Sequence, residues 1–332
     1  MTEPSPPPQE PENGGVALPL ARIVFNPVTV VLGFGLGLGL KAVVAVLRAL
    51  PAALPGGAPG SATARVLERP FAIGVPALLA FAGLFAFLGL AIARVAAVRV
   101  CRGERLSVAA ALAFAFRNWL SGALYPIALA VGVAGLLALA GILGLVAQIP
   151  FFGPIFLLPI YPLAFAIGVV AALLCGLGAL AAPTVAGALA VERNGTLDAL
   201  SRSFSYAFTR PAAFLFYGAL VFLLGAAVER VGRLGLAATD RGLLFLLESD
   251  TLRSILAAAG GGAPIPDDPR FSATFSAVVL RGVRFALDSG VLGAALAIAL
   301  AGGVAIYLTL RRDVDGVALP EMELAYSSAS PR

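Results

Sequence analysis

An all-α, polytopic integral membrane bundle of about six transmembrane helices is the fold that the sequence predicts, and three observations predict it. First, 60% of the 332 residues are hydrophobic and 12% are charged, with a mean hydropathy of +0.96. Soluble domains carry about 25% charged and 45–50% apolar residues, so this chain has too little charge to cover a water-soluble fold. Second, the apolar residues gather into runs of about 20, the length that crosses a hydrocarbon core of ~30 Å. Third, basic residues cluster in alternate connections, as the positive-inside bias requires of a multi-pass protein. Soluble enzymes, nucleic-acid binders and disordered scaffolds are excluded as whole-chain readings.

The elements follow in order. Residues 1–24 begin MTEPSPPPQEPENGG, rich in Pro and Glu, and read as a disordered cytoplasmic tail ahead of a membrane domain at 25–312. No basic n-region followed by an apolar h-region marks a signal peptide. The first span is Pro27–Leu47, containing GFGLGLGL, with Lys41 and Arg48 near its far end and able to snorkel to headgroups. A Gly/Pro-rich loop at Pro51–Pro70 leads to the second span, Phe71–Ala93, which the cluster Arg94, Arg99, Arg102 and Arg105 ends.

From Asn118 to Val191 no charged residue occurs. Prolines at 150, 154, 159 and 162 interrupt this run, and proline inside a helix removes hydrogen bonds. The expected spans are therefore Gly122–Gln148 and Ile160–Ala182, joined by an apolar, Pro-broken connection at 149–162. The fifth span is Pro211–Val228, stopped by Glu229 and Arg230. A polar extracytoplasmic loop, 231–284, follows; it includes a helical-looking segment at Asp240–Ala259. The sixth span is Leu287–Leu310, and a short tail at 313–332 closes the chain. Arg281, Arg284 and Asp288 share one helical face, which predicts an Arg284–Asp288 pair and a second in-plane helix over 272–288.

Six spans put both termini on one side. The connections after spans two and four are basic, with Arg117, Arg193, Arg202 and Arg210 adding to the first cluster, and Arg311-Arg312 close the last span on the same side. Both termini are expected to be cytoplasmic, in a bacterial cytoplasmic (inner) membrane.

Sliding the chain by 92 residues places Gly103 on Gly195, Phe114 on Tyr206 and Phe116 on Phe208. Units at 71–140 and 163–232 thus read as a parallel duplication of span, Gly turn, short amphipathic helix, span. In TLDALSRSFSYAFTRP, Leu197, Leu200, Phe204 and Phe208 recur at three- and four-residue steps, which predicts a helix lying in the interface plane. Basic and aromatic residues accompany each short helix: Arg105, Arg117 and Trp119 in the first, Arg202, Tyr206 and Arg210 in the second. These six are the expected contacts to the headgroups of anionic lipids in the bilayer; the alternative is that Arg202 and Arg210 cap protein contacts with Glu192 or Asp198.

The segment APTVAGALAVERNGTLDALSRSFSYAFTRPAAFLFYGALVFLLG (182–225) resembles the core of a family of uncharacterised bacterial polytopic membrane proteins, whose spans are linked by a Gly turn and an ALxRSF…RP helix. The terminal YLTLRRDVDGVALPEMEL resembles the close of such proteins. A weaker likeness, over residues 71–230, is to the membrane domain attached to some glycerophosphodiester phosphodiesterases. It implies no catalytic residues here, because the soluble phosphodiesterase barrel and its acidic and histidine ligands are missing.

Histidine is absent, which removes the usual general base, proton relay and metal ligand. Two cysteines, Cys101 and Cys175, are too few for a zinc site. The run Gly33 to Lys41 is not a phosphate loop, because Lys does not directly follow Gly or precede Ser or Thr. At helical spacing it gives two small-xxx-small pairs, Gly33/Gly37 and Gly35/Gly39, which predict close helix packing. No catalytic, metal or cofactor site is expected. The functional expectation is a non-catalytic scaffold, assembly or membrane-organising component, with a protein partner or a second copy and no nucleic acid. A small-solute permease or channel lined by the duplicated unit is the alternative.

Overall fold

The computed structural model describes residues 26–53, 74–146, 153–192, 195–246, 253–256 and 271–316. The expected tail at 1–24, residues 317–332 of the expected tail at 313–332, and most of the Pro51–Pro70 loop lie outside the described residues. All the long elements are helices: α1 (Pro27–Ala53), α2 (Val75–Leu84), a π-helical turn (Phe85–Gly89), α3 (Leu90–Arg102), α4 (Val108–Arg117), α5 (Trp119–Val146), α6 (Gly153–Val191), α7 (Thr196–Thr209), α8 (Pro211–Leu246) and α9 (Phe271–Asp315). Six stretches are long and apolar enough to cross a membrane: Pro27–Val46, Val75–Arg102, Trp119–Val146, Leu158–Val191, Pro211–Phe245 and Thr274–Asp315. The chain is an all-α polytopic helix bundle.

The last helix is its axis. α9 packs against α1, α3, α6 and α8, and its Val304, Tyr307, Leu308 and Leu310 are fully buried with Leu90, Ile92 and Val95 of α3 and Val185 and Val191 of α6. Alanines line the contacts, among them Ala91, Ala93, Ala96, Ala186, Ala188 and Ala190, all fully buried. In hydrocarbon, helices associate through close packing rather than through exclusion of water, and small side chains permit it. By contrast α5 turns Val131, Ile142 and Leu145 outward at 58–65% exposure, which suits a lipid-facing helix.

The four glycines of α1 serve two neighbours. A Cβ on Gly33 would lie 2.8 Å from the Gly293 carbonyl oxygen, and one on Gly37 would lie 2.7 Å from the Gly293 nitrogen, so this pair seats α1 backbone-to-backbone on α9. Gly35 and Gly39 face Leu88 and Leu84 on the second span. That span carries the π-helical turn where α5 comes closest: a Cβ on Gly122 would lie 2.8 Å from the Ala86 Cα, and the Phe85 and Tyr125 rings are 5.7 Å apart.

Four expectations are corrected. The second span does not end at Ala93 but runs to Arg102, where Gly103 (φ +68°) closes the helix in the left-handed conformation that favours glycine. Pro159 and Pro162 do not break the fourth span, since α6 is continuous from Gly153 to Val191; Pro154 falls in its first turn, where no backbone partner is lost, and membrane helices tolerate interior prolines. The described residues of the expected polar loop are helical: α8, about 54 Å at 1.5 Å per residue, runs through Asp240 to Leu246, and residues 247–252 and 257–259 of the expected helical segment lie outside the described residues. Residues 272–288 are not a separate in-plane helix but the start of α9, about 67 Å long and ended by Gly316 (φ +70°). Only the charge-free parts, 211–228 and 289–310, match the bilayer core.

Candidate functional site

Polar side chains converge where α6, α7 and α9 meet. α6 ends at Val191, and the next residue, Glu192, has a side chain only 6% exposed. A buried carboxylate needs charged or hydrogen-bonded partners to offset lost hydration. Those of Glu192 include three: Arg202 Nη1 of α7 lies 3.0 Å from Oε2, Arg311 Nη1 of α9 lies 3.1 Å from Oε1, and the Tyr307 hydroxyl donates to Oε1. Arg202 also approaches Asp198 at 3.7 Å on its own helix. Arg311 Nε lies 3.8 Å from Asp315 Oδ2, and the Tyr206 hydroxyl donates to the same Asp315 oxygen. The Tyr206 and Tyr307 rings close the gap, with centroids 5.7 Å apart and planes tilted by 49°. Two guanidiniums therefore meet three carboxylates, and α7 is clamped to the ends of two spans.

The helices are built for this. Gly195 is extended (φ −66°, ψ 165°) and opens α7, which buries Thr196, Ala199, Ser203 and Tyr206. Small and polar residues face protein, while Leu197 (74%) and Phe208 (72%) face outward; Leu200 and Phe204 pack halfway into the core. Thr196 Oγ1 donates to the Ser121 carbonyl at 2.8 Å, tying the start of α7 to α5. In α4 the side chain of Ser107 caps the first turn, its Oγ accepting from the Ala110 N–H at 3.2 Å.

Arg94 departs from expectation most. Rather than ending a span, it is 6% exposed inside the bundle, its Nη1 donating to the Ala190 carbonyl at 2.6 Å and its guanidinium 4.6 Å over the Phe114 ring. Ala190 is in the last turn of α6, whose carbonyls lack helical partners. Arg94 supplies the missing donor.

A second set of charges joins helices at the far end of α9. Lys41 of α1 pairs with Asp288, and Lys41 Nζ also sits 5.7 Å from the Phe285 ring centroid; Arg284 pairs with Asp240 of α8. The expected Arg284–Asp288 pair is thus replaced by two interhelical pairs. An exposed i,i+4 pair contributes only about 0.2–0.5 kcal/mol, whereas these pairs neutralise charges held between helices.

Of the six expected headgroup contacts, Arg105, Arg117, Trp119 and Arg210 are exposed. Trp119 stacks parallel on Phe87 at 6.5 Å, with Phe116, 68% exposed, 6.3 Å from the same ring. Arg202 and Tyr206 instead belong to the Glu192 cluster, and Tyr206 is 6% exposed. The alternative partners, Glu192 and Asp198, are the ones Arg202 takes; sequence reasoning missed Tyr307, Arg311, Asp315 and the inward turn of Arg94. The four-residue steps of Tyr307, Arg311 and Asp315, which place all three on one face, are the signal that marks the α9 half.

Electrostatics follow from this geometry. Glu192 holds the Arg202 guanidinium above its ordinary value, and burial, reinforced by the bond to Asp315, pushes the Tyr206 phenol above the ordinary tyrosine value. A raised phenol value stabilises the fold fully below about pH 10, and that contribution is lost as pH rises through the higher folded value. Alkaline unfolding of the detergent-solubilised protein is expected to lose part of its pH dependence in Tyr206→Phe; an identical pH profile for the two proteins would contradict this.

No protein-family model, curated protein or solved structure matches the chain.

Proposed function

We propose that the protein is a non-catalytic, membrane-organising scaffold that presents two short interfacial helices at fixed depth to anionic lipid, in a bacterial cytoplasmic membrane with both termini cytoplasmic. The observation that carries this reading is the clamp on Glu192. It spends the inner face of α7 on the ends of two spans while Leu197, Phe208 and Arg210 remain outside. The outer side of α4 and its junction with α5 repeats the pattern with Phe116, Arg117 and Trp119, an aromatic and basic set suited to headgroup depth. Orientation rests on the arginine clusters around α4, around α7 and after Leu310.

We also propose that the two units are copies. α4 ends at Arg117 and α7 at Thr209, 92 positions later, and each is followed by a single break, Asn118 or Arg210, before the next span begins at Trp119 or Pro211. That is the offset at which the two sequences align.

Replacing Arg105, Arg117 and Arg210 together by Gln tests the lipid reading without disturbing the Glu192 cluster. Each basic residue near an anionic surface contributes about 1 kcal/mol. The triple variant is expected to insert normally and to retain far less phosphatidylglycerol in native mass spectrometry. Unchanged retention would overturn the reading.

A further inference from the structure

We infer that the cleft between α6, α8 and α9 is a binding groove for one acyl chain of a phospholipid whose phosphate rests at Arg210. The inference rests on the headgroup contacts proposed above and assigns the site that orders one such lipid. A groove of about 390 Å³ is lined by Pro183 and Thr184 of α6, Phe214 and Gly218 of α8, and Gly303 and Ile306 of α9. It continues beneath α7, where Phe204, Phe208 and Pro211 line a smaller recess of about 90 Å³ that shares Phe214 and Leu215 with it.

Three observations choose the occupant. The groove opens on the membrane-crossing faces of α6 and α8, where Leu180 (45%), Leu215 (53%) and Phe222 (67%) form an outward rim, so hydrocarbon is the medium that reaches it. The hydroxyl in its lining, on Thr184, already donates to the Ala181 carbonyl at 2.8 Å, leaving an apolar wall that offers a polar solute nothing. Its length also fits: from Pro211 to Phe222 α8 rises about 16 Å, close to half of a ~30 Å hydrocarbon core, which is the depth of one leaflet. At the interfacial end stands Arg210, directly before Pro211. It is exposed and, among the described residues, its guanidinium has no ion-pair partner. A cation there complements the phosphate of the lipid whose chain lies below.

Phosphatidylglycerol carrying a diazirine on one acyl chain tests this on the full-length protein. Photolabelling followed by peptide mass spectrometry is expected to favour 214–222 and 299–306 over the lipid face of α5, 131–145, by roughly tenfold, the contrast between a bound and a passing chain. Gly218 lines the groove and a Cβ on it meets nothing within 4 Å, so Gly218→Leu adds bulk there from an open position; it is expected to abolish the excess and leave 131–145 unchanged. Arg210→Gln is expected to remove the preference for phosphatidylglycerol over phosphatidylcholine at the groove peptides. Even labelling of the wild-type chain, or an excess that survives Gly218→Leu, overturns the groove; a preference that survives Arg210→Gln overturns the phosphate contact. The Arg105→Gln/Arg117→Gln pair separates the two readings. Reduced phosphatidylglycerol retention with groove labelling intact supports both. Loss of retention in a protein that never showed the groove excess leaves only the headgroup contacts.

Discussion

Glu192→Gln is expected to destabilise the bundle by about 3–5 kcal/mol, the range for removing one partner of a buried ion pair. The substitution keeps the side chain's shape but leaves Arg311, 19% exposed, without the carboxylate at 3.1 Å and removes the charge that holds Arg202. The cost comes from two guanidiniums left facing each other with only the longer contacts to Asp198 at 3.7 Å and Asp315 at 3.8 Å, rather than from lost packing. Tyr307→Phe at the same cluster removes one hydrogen bond to a charged group and is expected to cost nearer ~1.5–3 kcal/mol. Thermal unfolding in mild detergent measures both, and equal effects from the two variants would mean that Glu192 acts as an ordinary hydrogen-bond acceptor.

Gly293→Leu is expected to separate α1 from α9, with a loss at or above the ~1–3 kcal/mol typical of overpacking. A Cβ there would lie 3.0 Å from the Phe34 nitrogen, and the other close neighbours are atoms of Gly33. These are backbone atoms that cannot rotate aside. Separation would also pull Lys41 from Asp288, five residues from the glycine. Gly39→Ala is expected to be far milder, because its added Cβ meets the flexible end of Leu84. Gly83→Ala and Gly282→Ala, where the added Cβ meets nothing within 4 Å, serve as controls in the same melting measurement. A Gly293→Leu protein that melts with those controls would show that α1 does not need the close approach.

Much of the fold was legible from physical regularities. Apolar runs located all six spans, because bilayer thickness imposes a length that composition reveals. The glycine steps of α1 marked its tight seats, because close backbone approach needs small residues at four-residue spacing. Helix ends were less legible. Glu229 marks a change of environment and Arg94 turns into the bundle, yet both helices continue past these charges, since a backbone ladder does not stop where a side chain is polar. The candidate site was the least legible part. Glu192 and Tyr307 lie 115 positions apart and Tyr206 and Asp315 109 apart, and only the packing of α9 against α6 and α7 brings them together. The basic residues of α7 were readable as interfacial, but which of them turn inward depends on carboxylates supplied by other helices.

The most direct measurement is cysteine labelling of the intact cell with a membrane-impermeant maleimide, in a background lacking Cys101 and Cys175. Ser205→Cys places a reporter on the exposed side of α7, and Ala238→Cys places one on the exposed part of α8 beyond its charge-free span. A six-span scaffold with cytoplasmic interfacial helices predicts that the reporter at 238 is labelled from outside and that the one at 205 reacts only after the cells are permeabilised. Labelling at 205 with protection at 238 would reverse the orientation, and labelling of both from outside would contradict the membrane-crossing assignment of α8.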